Sequence, residues 1–132
     1  MNTENSPLVT VICNCYNHEL YVWEALESVV KQSYTNIELI VINNGSSDYS
    51  FDVIKNFFLQ YPETVFINLP TTISHNKAFN LAFKKSKGNF LIDLSGDDRL
   101  LPDCIEKQVC FFSSQDENVG LIFGNANNID PN

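Results

Sequence analysis

Five short apolar runs alternate along the chain with four stretches whose apolar residues recur at helical spacing. Val9 to Cys13 and Glu38 to Ile42 are runs rich in β-branched residues, suited to strands buried on both faces. Between them Val22, Leu26, Val29 and Val30 fall on one helical face, with Trp23 and Ala25 beside them, which completes a βαβ unit. The pattern then repeats. Val53, Ile54, Phe57, Phe58 and Tyr61 form a stripe closed by Pro62, and Val65 to Leu69 reads as a strand. Ser74 is placed to cap a third helix whose Ala78, Phe79, Leu81, Ala82 and Phe83 are expected to point inward and which Gly88 is expected to stop. Phe90 to Leu94 is a fourth strand. Pro102 sits where a fourth helix can begin, with Ile105, Val109 and Phe112 on one face, and Val119 to Phe123 reads as a fifth strand before Gly124.

Alternating strands and helices joined by short connections predict an α/β fold, a mostly parallel sheet with helices on both faces and right-handed crossovers. Ligands of such sheets bind at the carboxyl ends of the strands. Three polar loops are expected there: Asn14-Cys15-Tyr16-Asn17-His18, Asn43-Asn44-Gly45-Ser46-Ser47-Asp48 and Ser95-Gly96-Asp97-Asp98.

Each loop has a plain reading and a chemical one. In the first, Tyr16 offers a flat face to a nucleobase and Asn17 an oxygen to cap the helix that follows; alone, it reads as a cap beside a packing tyrosine. His18 reads as a surface or capping histidine, since nothing near it in sequence is placed to orient it. The second loop is a turn by its Asn-Gly pair, with Ser47 or Asp48 to cap the next helix, and Asn43 at a strand end able to hydrogen-bond a base edge. In the third, adjacent carboxylates at Asp97 and Asp98 repel unless a cation or hydrogen bonds compensate. Mg²⁺ or Mn²⁺, commonly held by one or two carboxylates plus substrate phosphates, would compensate, and Gly96 would let a ligand approach the backbone. A solvated turn leading to the Pro102 helix competes on spacing alone.

The 132 residues, 44% of them hydrophobic, suffice for one domain with a real core. A formal charge of −8 argues against nucleic-acid or anionic-membrane binding, so an anionic ligand would need a local cation. No stretch approaches the ~20 apolar residues of a membrane span, and the opening MNTENSP is too polar for a signal peptide, which makes the cytoplasm the expected compartment. The four cysteines lack zinc-site spacing and read as buried reduced thiols. The chain has no G-x-x-x-x-G-K-[ST], G-x-G-x-x-G or G-x-S-x-G stretch, so P-loop hydrolysis, dinucleotide redox chemistry and serine-esterase chemistry lose support.

Taken together, the loops resemble those of family 2 glycosyltransferases of the GT-A fold. Residues 9–17, VTVICNCYN, stand where that family has V-S-V-I-I-P-T-Y-N, and residues 24–48, EALESVVKQSYTNIELIVINNGSSD, follow its E-A-L-x-S-V-L-x-Q-T-Y-x-N-x-E-I-I-V-V-D-D-G-S-T-D almost position by position. Ala78 to Asn80, Lys87-Gly88 and Leu94 to Asp103 match its A-x-N helix, K-G pair and L-D-x-D-D loop with the following L-P-D, and the likeness covers residues 7 to 130.

The resemblance implies a Rossmann-like nucleotide-sugar-binding half and transfer of a sugar, with inversion, from a nucleotide diphosphate, a UDP-sugar first, to the hydroxyl of a saccharide or lipid-linked acceptor. It places Cys15, Tyr16 and Asn17 around the base, Asn43 against uracil, Ser95 and Gly96 beside the sugar nucleotide, and Asp97 on a Mn²⁺ or Mg²⁺ ion with Asp98 in support. The catalytic base is expected beyond this chain. Residues 1–132 are then read as one donor-binding unit truncated before the acceptor-binding half, inactive by itself, with residues 1–6 as a flexible tail and peripheral membrane attachment, if any, through regions beyond. The chain departs from the pattern where Asn43 and Ser95 replace aspartates and where Asn14-Cys15 replaces Pro-Thr. Asn43 can accept from a base N–H without charge assistance, and metal binding rests chiefly on Asp97. A non-catalytic module binding a nucleotide or a protein is the alternative. A receiver-like domain would need acids where Asn14 and Asn68 stand, and a nucleotidyltransferase would need a Gly- and Lys-rich loop after the first strand.

Overall fold

The computed structural model describes residues 5–129; residues 1–4 and 130–132 lie outside the described residues. Of the expected tail 1–6, Ser6 is already tied to the domain, its carbonyl accepting from Asn36 Nδ2 at 2.7 Å. Eight elements follow: β1 (Val9–Cys15), α1 (Val22–Val30), β2 (Ile37–Asn44), α2 (Ser50–Gln60), β3 (Val65–Leu69), α3 (His75–Phe83), β4 (Phe90–Ser95) and α4 (Cys104–Ser113). The four strands form one parallel sheet in the order β3-β2-β1-β4, with Val9 opposite both Ile37 and Phe90.

Strand pleating divides the side chains between two faces. Val9, Val11, Cys13 and Cys15 of β1 join Leu39 and Val41 of β2 and Leu94 of β4 in a core closed by Leu26 and Val29 of α1, Ile54 and Phe57 of α2, and Ile105 and Val109 of α4. Ile12, Ile40 and Ile42 point the other way, onto Ala78 and Ala82 of α3. Helices thus lie on both faces, three on one and α3 alone on the other.

Several elements differ from the sequence expectation. β1 and β2 each run two residues further than the apolar runs, so Asn14, Cys15, Asn43 and Asn44 belong to strands, and their side chains are aimed by the pleat. α3 ends at Phe83, well before Gly88, because Ser86 takes the Phe83 carbonyl with both its amide (3.1 Å) and its hydroxyl (2.7 Å). Ala78 and Ala82 of this short helix are buried against the sheet, and Phe79, expected inside, packs half-buried beside them. Leu81 and Phe83, expected inside, are exposed, Phe83 lying about 140° round the helix from Ala78. Residues 119–129 form no strand, and Leu121 and Phe123 are exposed. An apolar run shows that a segment can be buried; a strand needs cross-strand partners, and a five-residue run containing Gly120 does not hold itself extended. Cys13 and Cys15 are buried as expected, but Cys104 is half-buried and Cys110 exposed, outside the Ile105 and Val109 stripe of α4.

Candidate functional site

At the carboxyl edge of the sheet the pleat turns Asn14, Asn44 and Ser95 toward the α3 side, where they line an open cavity of about 290 Å³ with Tyr16, His18, Thr72, Ile73 and His75. Asn44 is buried and spends its whole amide on one partner: Oδ1 accepts from Ile73 N–H at 3.0 Å and Nδ2 donates to the Ile73 carbonyl at 2.9 Å. This fixes the lead-in to α3 against the end of β2. Asn14 Nδ2 lies 3.1 Å from His75 Nδ1, and His75 Nε2 lies 3.2 Å from Asp93 Oδ2, so a polar chain runs from β1 across the first turn of α3 to β4.

The first two loops are knitted into one unit. Asn17 has a left-handed backbone (φ 54°), which asparagine tolerates, and its Oδ1 accepts from the Ser47 amide at 2.8 Å. It therefore serves the turn before α2, whereas the sequence suggested a cap for α1. Asp48 reaches both ways, accepting from Ser50 N–H at 2.9 Å and Glu19 N–H at 3.1 Å, and Ser50 Oγ accepts from His18 N–H at 2.9 Å. Gly45 has φ +65°, and a Cβ there would fall 2.3 Å from Thr72 N, so two backbones meet where only glycine fits.

The third loop leans on the first. The Gly96 amide donates to the Asn14 carbonyl at 2.9 Å, and a Cβ on Gly96 would stand 2.8 Å from His18 Nδ1 and 3.2 Å from Cys15 Cβ. The space that sequence reasoning reserved for a ligand at Gly96 is thus filled by His18 and Cys15 of the first loop. Asp97 Oδ1 accepts from the Ser95 hydroxyl at 2.5 Å, and Oδ2 lies 3.7 Å from His18 Nε2. The Ser95 hydroxyl, aided by the neighbouring His18 against partial burial, holds the Asp97 carboxyl below the usual carboxylate range. Beyond it, α1 and the turn that follows anchor the loop: Ser28 Oγ accepts from Leu100 N–H at 3.0 Å, and the buried Gln32, just past the helix, donates to the Leu101 carbonyl at 2.6 Å and accepts from Ile105 N–H at 3.0 Å.

This edge of a parallel sheet, with an aromatic after β1 and an acidic loop after β4, agrees with the sequence resemblance, and the family model described as glycosyl transferase family 2 matches residues 10–130. The chain belongs to glycosyl transferase family 2. An uncharacterized glycosyltransferase of Haemophilus influenzae is 36% identical to it over 107 residues, 81% of this chain and 43% of that protein. Glycosyltransferase GlyG of Streptococcus pneumoniae is 27% identical over 125 residues, 95% of this chain and 41% of that protein. The family 2 chain thus spans less than half the length of these relatives. Among solved structures, Staphylococcus aureus TarS 1-349 in complex with UDP-GlcNAc superposes with a TM-score of 0.72 at 24% identity, covering 80% of this chain and 31% of that one. The mannosyltransferase PcManGT of Pyrobaculum calidifontis, in complex with GDP-Man and Mn²⁺, gives 0.72 at 22% identity over 86% and 34%. Both are similar in fold.

The residues singled out in this family 2 sequence separate by face. Tyr16 and Ser95 line the cavity, Gly96 and Asp97 adjoin it, and Asn17 braces the loops from outside. Cys15 and Asn43, one pleat step from Asn14 and Asn44, are buried on the α1 and α2 side. Asn43 Nδ2 donates to Asn68 Oδ1 at 2.8 Å, while Asn43 Oδ1 is buried with no partner among the described residues. His18, read from the sequence as a surface or capping histidine, lines the cavity, and His75 and Asp93 were not singled out. No linear motif marks them, and only the strand alternation that pairs Asp93 with Ser95 gave a signal. Among the described residues no group of three His, Cys, Asp or Glu side chains could hold a metal ion. A half-exposed carboxylate kept ionised, with lone pairs left on both oxygens, does fit the sparser arrangement in which one or two acids hold Mg²⁺ or Mn²⁺ and substrate phosphates complete the shell. No described helix is long and apolar enough to cross a membrane.

Proposed function

We propose that the chain is the donor-binding part of a glycosyltransferase that moves a sugar from a nucleoside diphosphate, UDP first, to an acceptor hydroxyl of a saccharide or lipid-linked molecule, with inversion. The observation that carries the reading is that Tyr16 and Ser95 line one open cavity at the carboxyl edge of the sheet and that Ser95 is hydrogen-bonded to Asp97 beside it. Tyr16, nearly half exposed, offers a stacking face for the base. Asn43 does not line this cavity; buried toward α1 and α2 at the same sheet edge, its unpartnered Oδ1 is an acceptor of the kind that a base N–H requires, and the complexes of TarS with UDP-GlcNAc and of PcManGT with GDP-Man are of the same ligand class.

Asp97, supported by Asp98, would hold Mn²⁺ or Mg²⁺, which when bound supplies neutralising charge for the diphosphate leaving group. A chain of net charge −8 makes a bound cation a natural source of that charge. No base that deprotonates the acceptor is assigned among these residues. The replacement of acids by Asn43 and Ser95 favours a second reading, a module that binds nucleotide or a protein without turnover.

Calorimetric titration of UDP into the 132-residue chain, with and without Mn²⁺, tests the assignment. Binding should require the metal, and Asp97→Ala should reduce it about ten-fold or more. Equal weak binding in both proteins overturns the site.

A further inference from the structure

His18 is held from three directions. Its amide donates to Ser50 Oγ at 2.9 Å, its carbonyl accepts from Tyr21 and Val22 N–H at 2.9 Å each, and its ring lies so close to Gly96 that no larger residue fits there. The two ring nitrogens have opposite surroundings. Nδ1 is buried with no partner among the described residues, while Nε2 looks across 3.7 Å to Asp97 Oδ2. A neutral imidazole carries one N–H and one lone pair, and the N–H gains most where it faces an anionic acceptor, which Nε2 has and Nδ1 lacks. The surroundings therefore put the proton on Nε2, facing the carboxylate.

We propose that His18 is a positioning residue for Asp97, an inference that rests on the metal assignment above. Ser95 donates to one carboxylate oxygen and the His18 Nε2–H faces the other, so the carboxylate plane is set from both sides while each oxygen keeps a lone pair for a cation. The 3.7 Å separation is longer than a hydrogen bond, so the His18 N–H acts on Oδ2 as a facing dipole at contact distance. In a loop that has Ser95 in place of an outer acid, this bracing makes a single carboxylate a directed ligand. Direct ligation by His18 is the competing role. It would need the Nε2 lone pair and hence a proton on Nδ1, the nitrogen without an acceptor.

The test compares His18→Phe, which keeps a ring against Gly96 but has no N–H, with His18→Gln, whose amide carries a donor to about the position of Nε2; His18→Leu repeats the first with a smaller side chain. Mn²⁺ binding to the 132-residue chain with UDP, read from the electron paramagnetic resonance of free Mn²⁺, should weaken about ten-fold or more in the Phe variant and stay within about three-fold of the parent in the Gln variant. A Phe variant that binds like the parent, or a Gln variant as weak as the Phe one, overturns the proposal. So does selective loss of Co²⁺ binding with Mn²⁺ binding intact, the mark of a nitrogen ligand. A second arm needs no metal: the ¹³C resonance of the Asp97 carboxyl should move in His18→Phe and hold in His18→Gln. An unmoved resonance overturns the positioning role, whereas a moved resonance in a chain that never binds Mn²⁺ overturns only the donor-site reading.

Discussion

The two faces of the sheet are built on different terms. On the side of α1, α2 and α4 every strand contributes to one dry core, in which Phe57 is fully buried between Trp23, edge-on at 5.4 Å, and Tyr61, stacked at 4.6 Å. On the side of α3 a small apolar centre of Ile12, Ile40, Ile42, Ala78 and Ala82 is bounded by polar clusters at both ends of the strands. At the amino end Thr10 Oγ donates to Glu38 Oε1 at 2.7 Å and accepts from Gly88 N–H at 2.9 Å, while the same Glu38 oxygen accepts from Lys87 N–H at 2.8 Å. At the carboxyl end the Asn14, His75 and Asp93 chain opens into the cavity, and His75 and Asp93 are both exposed. Folding energy is concentrated on the first face. The second keeps one closed polar network and one that opens into the cavity.

The strongest way to break this contrast is Phe57→Ala. Loss of a fully buried ring with two aromatic neighbours should destabilise the chain by about 3–5 kcal/mol in urea unfolding, with nucleotide affinity of the remaining folded fraction unchanged. A cost under about 1 kcal/mol would show that the dry face does not carry the stability.

The two polar ends of the α3 face can be set against each other. Thr10→Val keeps the shape and deletes a buried hydroxyl that both donates and accepts, leaving the Gly88 amide unmatched. It should cost about 1–3 kcal/mol in urea and leave UDP binding with Mn²⁺ as it was. Asn14→Ala, at the same strand's other end, should cost less in urea and weaken that binding several-fold. If the two variants changed places in these measurements, the closed network would be the functional one.

Much of this division can be seen in the sequence, and the part that cannot has a physical reason. The order of strands and helices follows from local apolar spacing, and the Asp97 loop from two like charges that require compensation. The face on which a strand-end residue points depends on where the strand stops. β1 and β2 continue through Asn14-Cys15 and Asn43-Asn44, polar residues that end an apolar run without ending the ladder, so Asn44 lines the cavity although Asn43 was the residue singled out. The parts played by His18 and Asp93 come from residues far apart in sequence, Asp97 and His75, which no spacing rule brings together. The fifth strand failed for the same kind of reason, since an apolar run carries no information about an available edge.

The smallest expected effect concerns Asp48, the acid that joins the first two loops. Burial raises its proton affinity, but hydrogen bonds from the Ser50 hydroxyl and amide and from the Glu19 amide outweigh this and leave its carboxyl below the usual range. A carboxyl depressed in the folded state adds stability that is present above its unfolded value, about 3.9, and is lost as pH falls through the folded value. Asp48→Asn keeps a capping oxygen but not the charge, so at pH 7 it should cost a few tenths of a kcal/mol, while Asp48→Ala should cost about 1 kcal/mol. The gap between parent and Asp48→Asn in urea midpoints should be constant above about pH 5 and shrink below about pH 4. A gap that persisted unchanged at the lower pH would mean that the two loops are joined by geometry alone, with no contribution from the charge.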